Sequence, residues 1–388
     1  MTITAPKGFR AAGITAGIKA SGNPDFALVV NDGPSKAAAA VFTSNRVAAA
    51  PVHWSRQVVS DGRVDAVVLN SGGANACTGP QGFQNTHATA EKVAEVLGVS
   101  ASDVVVCSTG LIGEQLPMDK ILPGVDAAFA ELSADGGSAA ATAIMTTDSV
   151  SKEAVFTGTD AEGKQFTVGG IAKGAGMLAP GLATMLVVLT TDAQVPADEL
   201  DVVLRDATRV TFDRADSDGC MSTNDTVVLL SSGASEALPS TGQLGEAVTQ
   251  VCAELARKLI GDAEGASHDI AIRTFNAASE RDAEIVSRSV ARSNLFKAAI
   301  FGKDPNWGRV LSAVGTTDAV FEADQLNVSM NGVQICRNGA IGDDRNLVDL
   351  EPREVLVEID LQAGDAEATI WTNDLTHDYV HENSAYSS

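Results

Sequence analysis

The stretch KGAGMLAPGLATMLVVLTTDA, from Lys173 to Ala193, runs from a loop rich in glycine and proline straight into an apolar segment. Met185-Leu186-Val187-Val188-Leu189 is short, partly β-branched and bounded by breakers, which predicts a buried strand. Thr184 then stands at the start of that strand, at the mouth of a loop with few side chains. An ordinary strand start and a hydroxyl presented for chemistry both fit this loop taken alone.

A threonine hydroxyl is a weak nucleophile and needs an adjacent base. The five histidines (His53, His87, His268, His377 and His381) are all remote in sequence. Cleavage of the Ala183–Thr184 peptide bond would supply a base without one, because Thr184 would gain an α-amine beside its own hydroxyl. Such an amine has a pKa of ~7.7–8, so roughly a third is free base near pH 7.5. Pro180 and Gly181 can fix an unusual turn, and Ala183 leaves the scissile carbonyl open.

Outward from this loop the chain alternates strand and helix patterns, so the expected class is mixed α/β. DFALVVND, AAAVFTSN, VDAVVLNSG and VVVCSTG read as strands, and FQNTHATAEKVAEVLG as an amphipathic helix ending at Gly98. EAVFTGTDAEGKQFTVGGIAKG reads as a hairpin. Beyond the loop come a helix over PADELDVVLRDATRVTFDR, a strand at TVVLLSS, a long helix over TGQLGEAVTQVCAELARKLIG and a strand at HDIAIRTF. One helix is expected over SERDAEIVSRSVARSNLFKAAI, and the C-terminal part reads as strands at QLNVSMNGVQI, EVLVEIDLQ and EATIWTND. No linker or low-complexity segment marks a domain boundary, which leaves the loop before Thr184 as the most distinctive break.

Composition narrows the partners. Among 388 residues the formal charge is −23, which argues against nucleic acid, whose phosphates require Lys and Arg. A negative field can steer a cationic small molecule, although an acidic surface also simply keeps a protein soluble. The N-terminus lacks an apolar signal-peptide core, and no stretch approaches the ~20 apolar residues of a membrane span. Five scattered cysteines without a C-x-x-C suit a reducing cytoplasm better than a disulfide framework.

Acyl transfer also needs donors for an oxyanion. VVVCSTGLIG places Thr109 and Gly110 where a strand gives way to a glycine turn, and one such donor is typically worth ~3 kcal/mol in the transition state. A simple strand-to-loop turn fits the same residues, and Cys107 reads as an apolar strand residue rather than a thiol nucleophile. Glu264, in GDAEGASH, stands among small residues where a ligand amine could reach it. Asp304, Asn306, Trp307 and Arg309 form a polar cluster in FGKDPNWGR. A solvated acid and a structural turn fit these two equally well. His377 and His381, four apart, approach a zinc pattern, but Asp378 is short for its base and no apolar helix is evident around them. Neither phosphate-binding glycine motif stands in a strand–loop–helix setting, so nucleotide binding has little support. Acyl transfer through a threonine hydroxyl requires no metal or bound cofactor.

Taken in order, GFRAAGITAGIK, NSGGANACTG, CSTGLIG, KGAGMLAPGLATML, GDAEGA, FGKDPNWGR and DLTHDYVHENSAYSS resemble the ornithine acetyltransferase (ArgJ) family across essentially the whole chain. The resemblance implies a sandwich-like α/β fold with an N-terminal nucleophile. It implies self-cleavage between Ala183 and Thr184 into an α chain (1–183) and a β chain (184–388), assembled as an α2β2 heterotetramer. The implied reaction moves acetyl from N2-acetylornithine to glutamate, with acetyl-CoA as a second donor in some members. Position by position, Thr184 matches the nucleophile, Thr109 and Gly110 the oxyanion pair, and Thr147, Lys173, Glu264, Asn383 and Ser388 the substrate contacts. Gly73, Gly181, His377, His381 and Ser388 differ from residues common in the family, which leaves the contacts made by the tail open. A self-cleaving amidohydrolase or aminopeptidase, and a small-molecule-binding protein with a structural Thr184, are the rival readings.

Overall fold

The computed structural model describes residues 2–179 and 185–385, so Ala183, Thr184 and Ser388 lie outside the described residues. The chain folds into two units. The first runs to Asp213 and resumes over Cys220–Asp262, whereas the second takes Arg214–Gly219 and continues from Ala263.

In the first unit the elements are β1 (Phe9–Ile14), β2 (Phe26–Asn31), β3 (Ala37–Phe42), α1 (Ala50–Val58), β4 (Ala66–Ser71), α2 (Gly79–Leu97), β5 (Val104–Thr109), α3 (Met118–Ala130), α4 (Gly137–Ala143), β6 (Lys152–Thr159), β7 (Gln165–Lys173), β8 (Leu186–Thr191), α5 (Ala197–Val210), β9 (Thr226–Ser231) and α6 (Thr241–Gly261). They build two sheets, ordered β1-β2-β4-β5 and β3-β9-β8-β7-β6. Strands β2, β4, β5, β8 and β9 are buried along their whole length, because both faces of each sheet are covered. The two-residue period then assigns the faces. Val29, Val67, Leu69 and Val105 of one sheet share a core with Ile171, Leu186, Val188 and Leu230 of the other. The alternate residues Leu28, Val68 and Val106 pack outward with Val93 of α2 and Val125 of α3. Each such Val or Leu contributes ~1.5–3 kcal/mol on burial. Helix α6 packs on β6 and β7, and α5 on β3, which completes a helix–sheet–sheet–helix sandwich. The sandwich-like α/β expectation therefore holds.

The unit boundary does not fall at the glycine-rich loop. Strands β7 and β8, on either side of it, are antiparallel neighbours in one sheet, with Lys173 opposite Leu186.

The second unit contains β10 (Asp269–Ala277), α7 (Glu280–Ala291), α8 (Asn294–Phe301), α9 (Trp307–Val314), β11 (Asn327–Met330), β12 (Val333–Arg337), β13 (Ala340–Ile341), β14 (Glu354–Asp360), β15 (Ala366–Asn373) and α10 (His377–Ala385). Its sheet has the order β13-β12-β11-β14-β10-β15. Ile270, Ile272, Val357 and Ile370 from that sheet pack with Val286 and Val290 of α7. The single helix expected over 279–300 is two helices. The Ser293 hydroxyl accepts the Phe296 N–H and starts α8 afresh, as an N-cap residue does.

Candidate active site

The strand ends of the first unit carry most of the candidate residues. Thr109 closes β5 and is buried, and its carbonyl accepts the N–H groups of Gly72 (2.9 Å) and Gly73 (3.0 Å). Its hydroxyl has no partner among the described residues, which suits a donor held for a ligand. Gly110 turns the chain with φ at +128°, and a Cβ there would lie 2.6 Å from the Gly73 nitrogen. Only glycine satisfies both the angle and the approach.

Lys173 closes β7, is 1% exposed, and donates from Nζ to Thr146 Oγ1 at 2.7 Å. The same ammonium lies 3.7 Å from Asp148 Oδ2. Asp148 holds the surrounding turn, accepting the Thr146 N–H at Oδ2 (2.9 Å) and the Gly174 N–H at Oδ1 (2.6 Å). Thr147, between Thr146 and Asp148, is half-buried. A second buried cation, Lys152, bridges Asp148 (2.7 Å) and Asp262 (2.6 Å). Burial alone would raise the Asp148 carboxyl, but Lys173, Lys152 and the Thr146 N–H pull it well below the usual carboxylate range. Lys19 closes the ring of charge, donating to the carbonyls of Met145 (2.6 Å) and Pro24 (2.9 Å). Desolvation, with Lys173 nearby, pushes its pKa down.

On the far side of the loop, Met185 donates its N–H to Asp225 Oδ1 at 3.1 Å. Asp225 is fully buried, and burial pushes its carboxyl well above the usual range against the weaker pull of that N–H and of Lys173. Cys107 is also buried, with its thiol pushed up to about 12, and is no nucleophile.

In the second unit Glu264 is half-buried, and Gly265 next to it supports α10. The Gly265 carbonyl accepts the Thr376 hydroxyl at 2.5 Å, and a Cβ at Gly265 would meet the Tyr379 nitrogen at 2.2 Å. Asn383 donates to the Tyr379 carbonyl one helical turn back at 3.0 Å. The Glu264 loop and the helix of Asn383 thus form one corner. Ser267, His268 and Asp374 also meet, but both oxygen partners sit at Nδ1 of the ring, Asp374 Oδ2 at 2.8 Å, while Nε2 faces the Leu350 carbonyl at 3.1 Å. No ring nitrogen is left to act as a base, so the trio is structural.

The polar cluster of FGKDPNWGR makes a capping turn. Asn306 accepts the Arg309 N–H to start α9 and donates to Asp304, and Arg309 bonds the Leu295 carbonyl. His377 stands edge-on to Phe301 in α10, and among the described residues no group of three or more His, Cys, Asp or Glu could hold a metal. Also among these residues, no helix is long and apolar enough to cross a membrane. Asp148, Lys152, Asp262, Asn224 and Asp225 were not evident in the sequence. The one available signal was the polar run Ser222-Thr223-Asn224-Asp225 directly before an apolar strand, and all four residues are buried.

The ArgJ family model matches residues 10–388. The arginine biosynthesis bifunctional protein ArgJ of Streptomyces coelicolor is 67% identical over 388 residues, covering 100% of both chains. The protein of the same name in Thermobifida fusca is 62% identical, again over 100% of both. A solved ornithine acetyltransferase from Mycobacterium tuberculosis, complexed with ornithine, is 56% identical, and the match covers 48% of this chain and 96% of that one with a TM-score of 0.44.

Proposed function

The chain belongs to the ArgJ family, and on that footing we propose that it cuts itself at Ala183–Thr184 and uses Thr184 to move acetyl from N2-acetylornithine to glutamate. The observation that carries this reading is the buried Lys173 ammonium, fixed by Thr146 and Asp148 opposite Leu186, two residues past Thr184. A fixed cation there can bind a substrate carboxylate and keep the nearby α-amine unprotonated.

The chemistry is ping-pong. The α-amine of Thr184 takes the hydroxyl proton as the oxygen attacks the acetyl carbonyl. The Thr109 hydroxyl and the Gly110 N–H stabilise the oxyanion. The C–N bond breaks, ornithine leaves with that proton, and an acetyl ester remains on Thr184. Glutamate's amine attacks the ester by the reverse route and leaves as N-acetylglutamate. Glu264 holds the cationic side chain of ornithine, while Thr147, Lys173, Asn383 and Ser388 contact the rest of the substrate. The α (1–183) and β (184–388) chains remain together as an α2β2 assembly in the cytoplasm. Acetyl-CoA, a second donor to glutamate in some members of the family, belongs to the same proposal.

Incubation with N2-acetylornithine separates this transferase from a self-cleaving hydrolase. With glutamate, ornithine release is sustained; without it, release stops after about one equivalent per site, the burst expected of a covalent intermediate. Sustained release without glutamate would make water the acceptor and overturn the transferase reading.

A further inference from the structure

Residues 224 and 225 grip both halves of the catalytic arrangement. The Asn224 amide donates its two protons to the carbonyls of Ala74 (2.6 Å) and Ser108 (2.8 Å), and its Oδ1 accepts the Thr223 hydroxyl (2.6 Å). Ser108 precedes Thr109, and the Ala74 N–H bonds the Leu111 carbonyl (2.9 Å). Asn224 therefore holds the oxyanion turn from both sides. The next residue holds the other half. Met185, bonded directly to Thr184, gives its N–H to Asp225 Oδ1 (3.1 Å) and accepts the Thr226 N–H at its carbonyl (3.1 Å).

Resting on the reading that Thr184 is the nucleophile, we infer that Asn224 and Asp225 are positioning residues that together set the spacing between Thr184 and the Thr109–Gly110 oxyanion site. A single dipeptide carrying both grips couples the two, since neither can move without straining a buried hydrogen bond of the other. Leaving such a group unsatisfied is costly in the interior. Burial pushes the Asp225 carboxyl toward its neutral form. Its Oδ1 accepts the Met185 N–H, while Oδ2 is buried and makes no hydrogen bond among the described residues. Asn224 offers both amide protons because a carboxylate of the same shape could grip neither carbonyl.

Three variants test this: Asn224→Asp, Asp225→Ala and Asp225→Asn. The readouts are the rate of chain cutting, the rate of acetyl-ester formation on Thr184 in a single turnover, and KM for N2-acetylornithine. Asn224→Asp loses both donors at constant shape and should slow acetyl-ester formation by about 100-fold, the scale of a 1 Å misplacement, with KM little changed. Asp225→Ala should slow both cutting and acylation. Asp225→Asn should recover most of that loss, because an amide oxygen can accept the Met185 N–H without a charge. Wild-type acylation in Asn224→Asp, or an Asp225→Asn variant as poor as Asp225→Ala, overturns the inference. A wild-type enzyme that never carries acetyl on Thr184 would instead overturn the nucleophile reading beneath it.

Discussion

Asp148 and Asp225 each accept a backbone N–H, Asp148 from Gly174 just after β7 and Asp225 from Met185 just before β8. Both side chains are buried, and burial pushes both carboxyls toward neutrality. At Asp148, Lys152 at 2.7 Å, Lys173 at 3.7 Å and two backbone N–H groups reverse that push, and the group stays ionised. Asp225 meets chiefly the Met185 N–H and a weaker field from Lys173, and burial prevails. Neighbours within a few ångströms, rather than depth, decide the charge. One acid anchors two cations, and the other, pushed toward neutrality by burial, accepts a backbone N–H.

The same substitution should therefore have opposite effects at the two positions. Asp148→Asn leaves Lys152 and Lys173 facing a neutral group, and breaking a buried ion pair typically costs about 3–5 kcal/mol. Its thermal midpoint should fall by several degrees, and KM for N2-acetylornithine should rise because Lys173 loses its anchor. Asp225→Asn should match or slightly exceed the wild-type midpoint. Equal losses in both variants would break the contrast.

A smaller effect appears as pH dependence. The carboxyl of Asp148 titrates below its unfolded value, so its stabilisation is present above about pH 4 and is lost as pH falls through the lower folded value. The gap in midpoint between wild type and Asp148→Asn should close on acidification. For Asp225 the folded value is raised, so above about pH 4 the unfolded chain releases a proton that the native protein keeps. Wild-type stability should then decline with rising pH relative to Asp225→Asn. Thermal melts of the three proteins across this range check both slopes, and parallel curves would contradict them.

Much of the sandwich was legible in the sequence because its strands are continuous apolar runs between breakers, β8 foremost. That Thr109 ends a strand and Gly110 turns the chain was legible for a related reason, since a strand end followed by glycine is a local pattern. The charged ring was not. Lys173 and Asp148 are 25 residues apart (173 − 148), and Lys152 and Asp262 are separated by 110, so only the folded sheets bring them together. Asn224 and Asp225 were not singled out because nothing local reveals that a polar run is buried. The break at Ser293 was missed because one hydroxyl, rather than periodicity, starts a helix there, whereas the turn at Asn306 was one of two readings left open.

Every step of the proposed chemistry depends on a free amine at residue 184. Intact-mass measurement of the purified enzyme, before and after brief exposure to N2-acetylornithine without glutamate, reads this directly. The account predicts two polypeptides with masses of residues 1–183 and 184–388, the second gaining one acetyl group on exposure. A single full-length chain that still turns over acetylornithine, or a cut enzyme that gains no acetyl while remaining active, would contradict it.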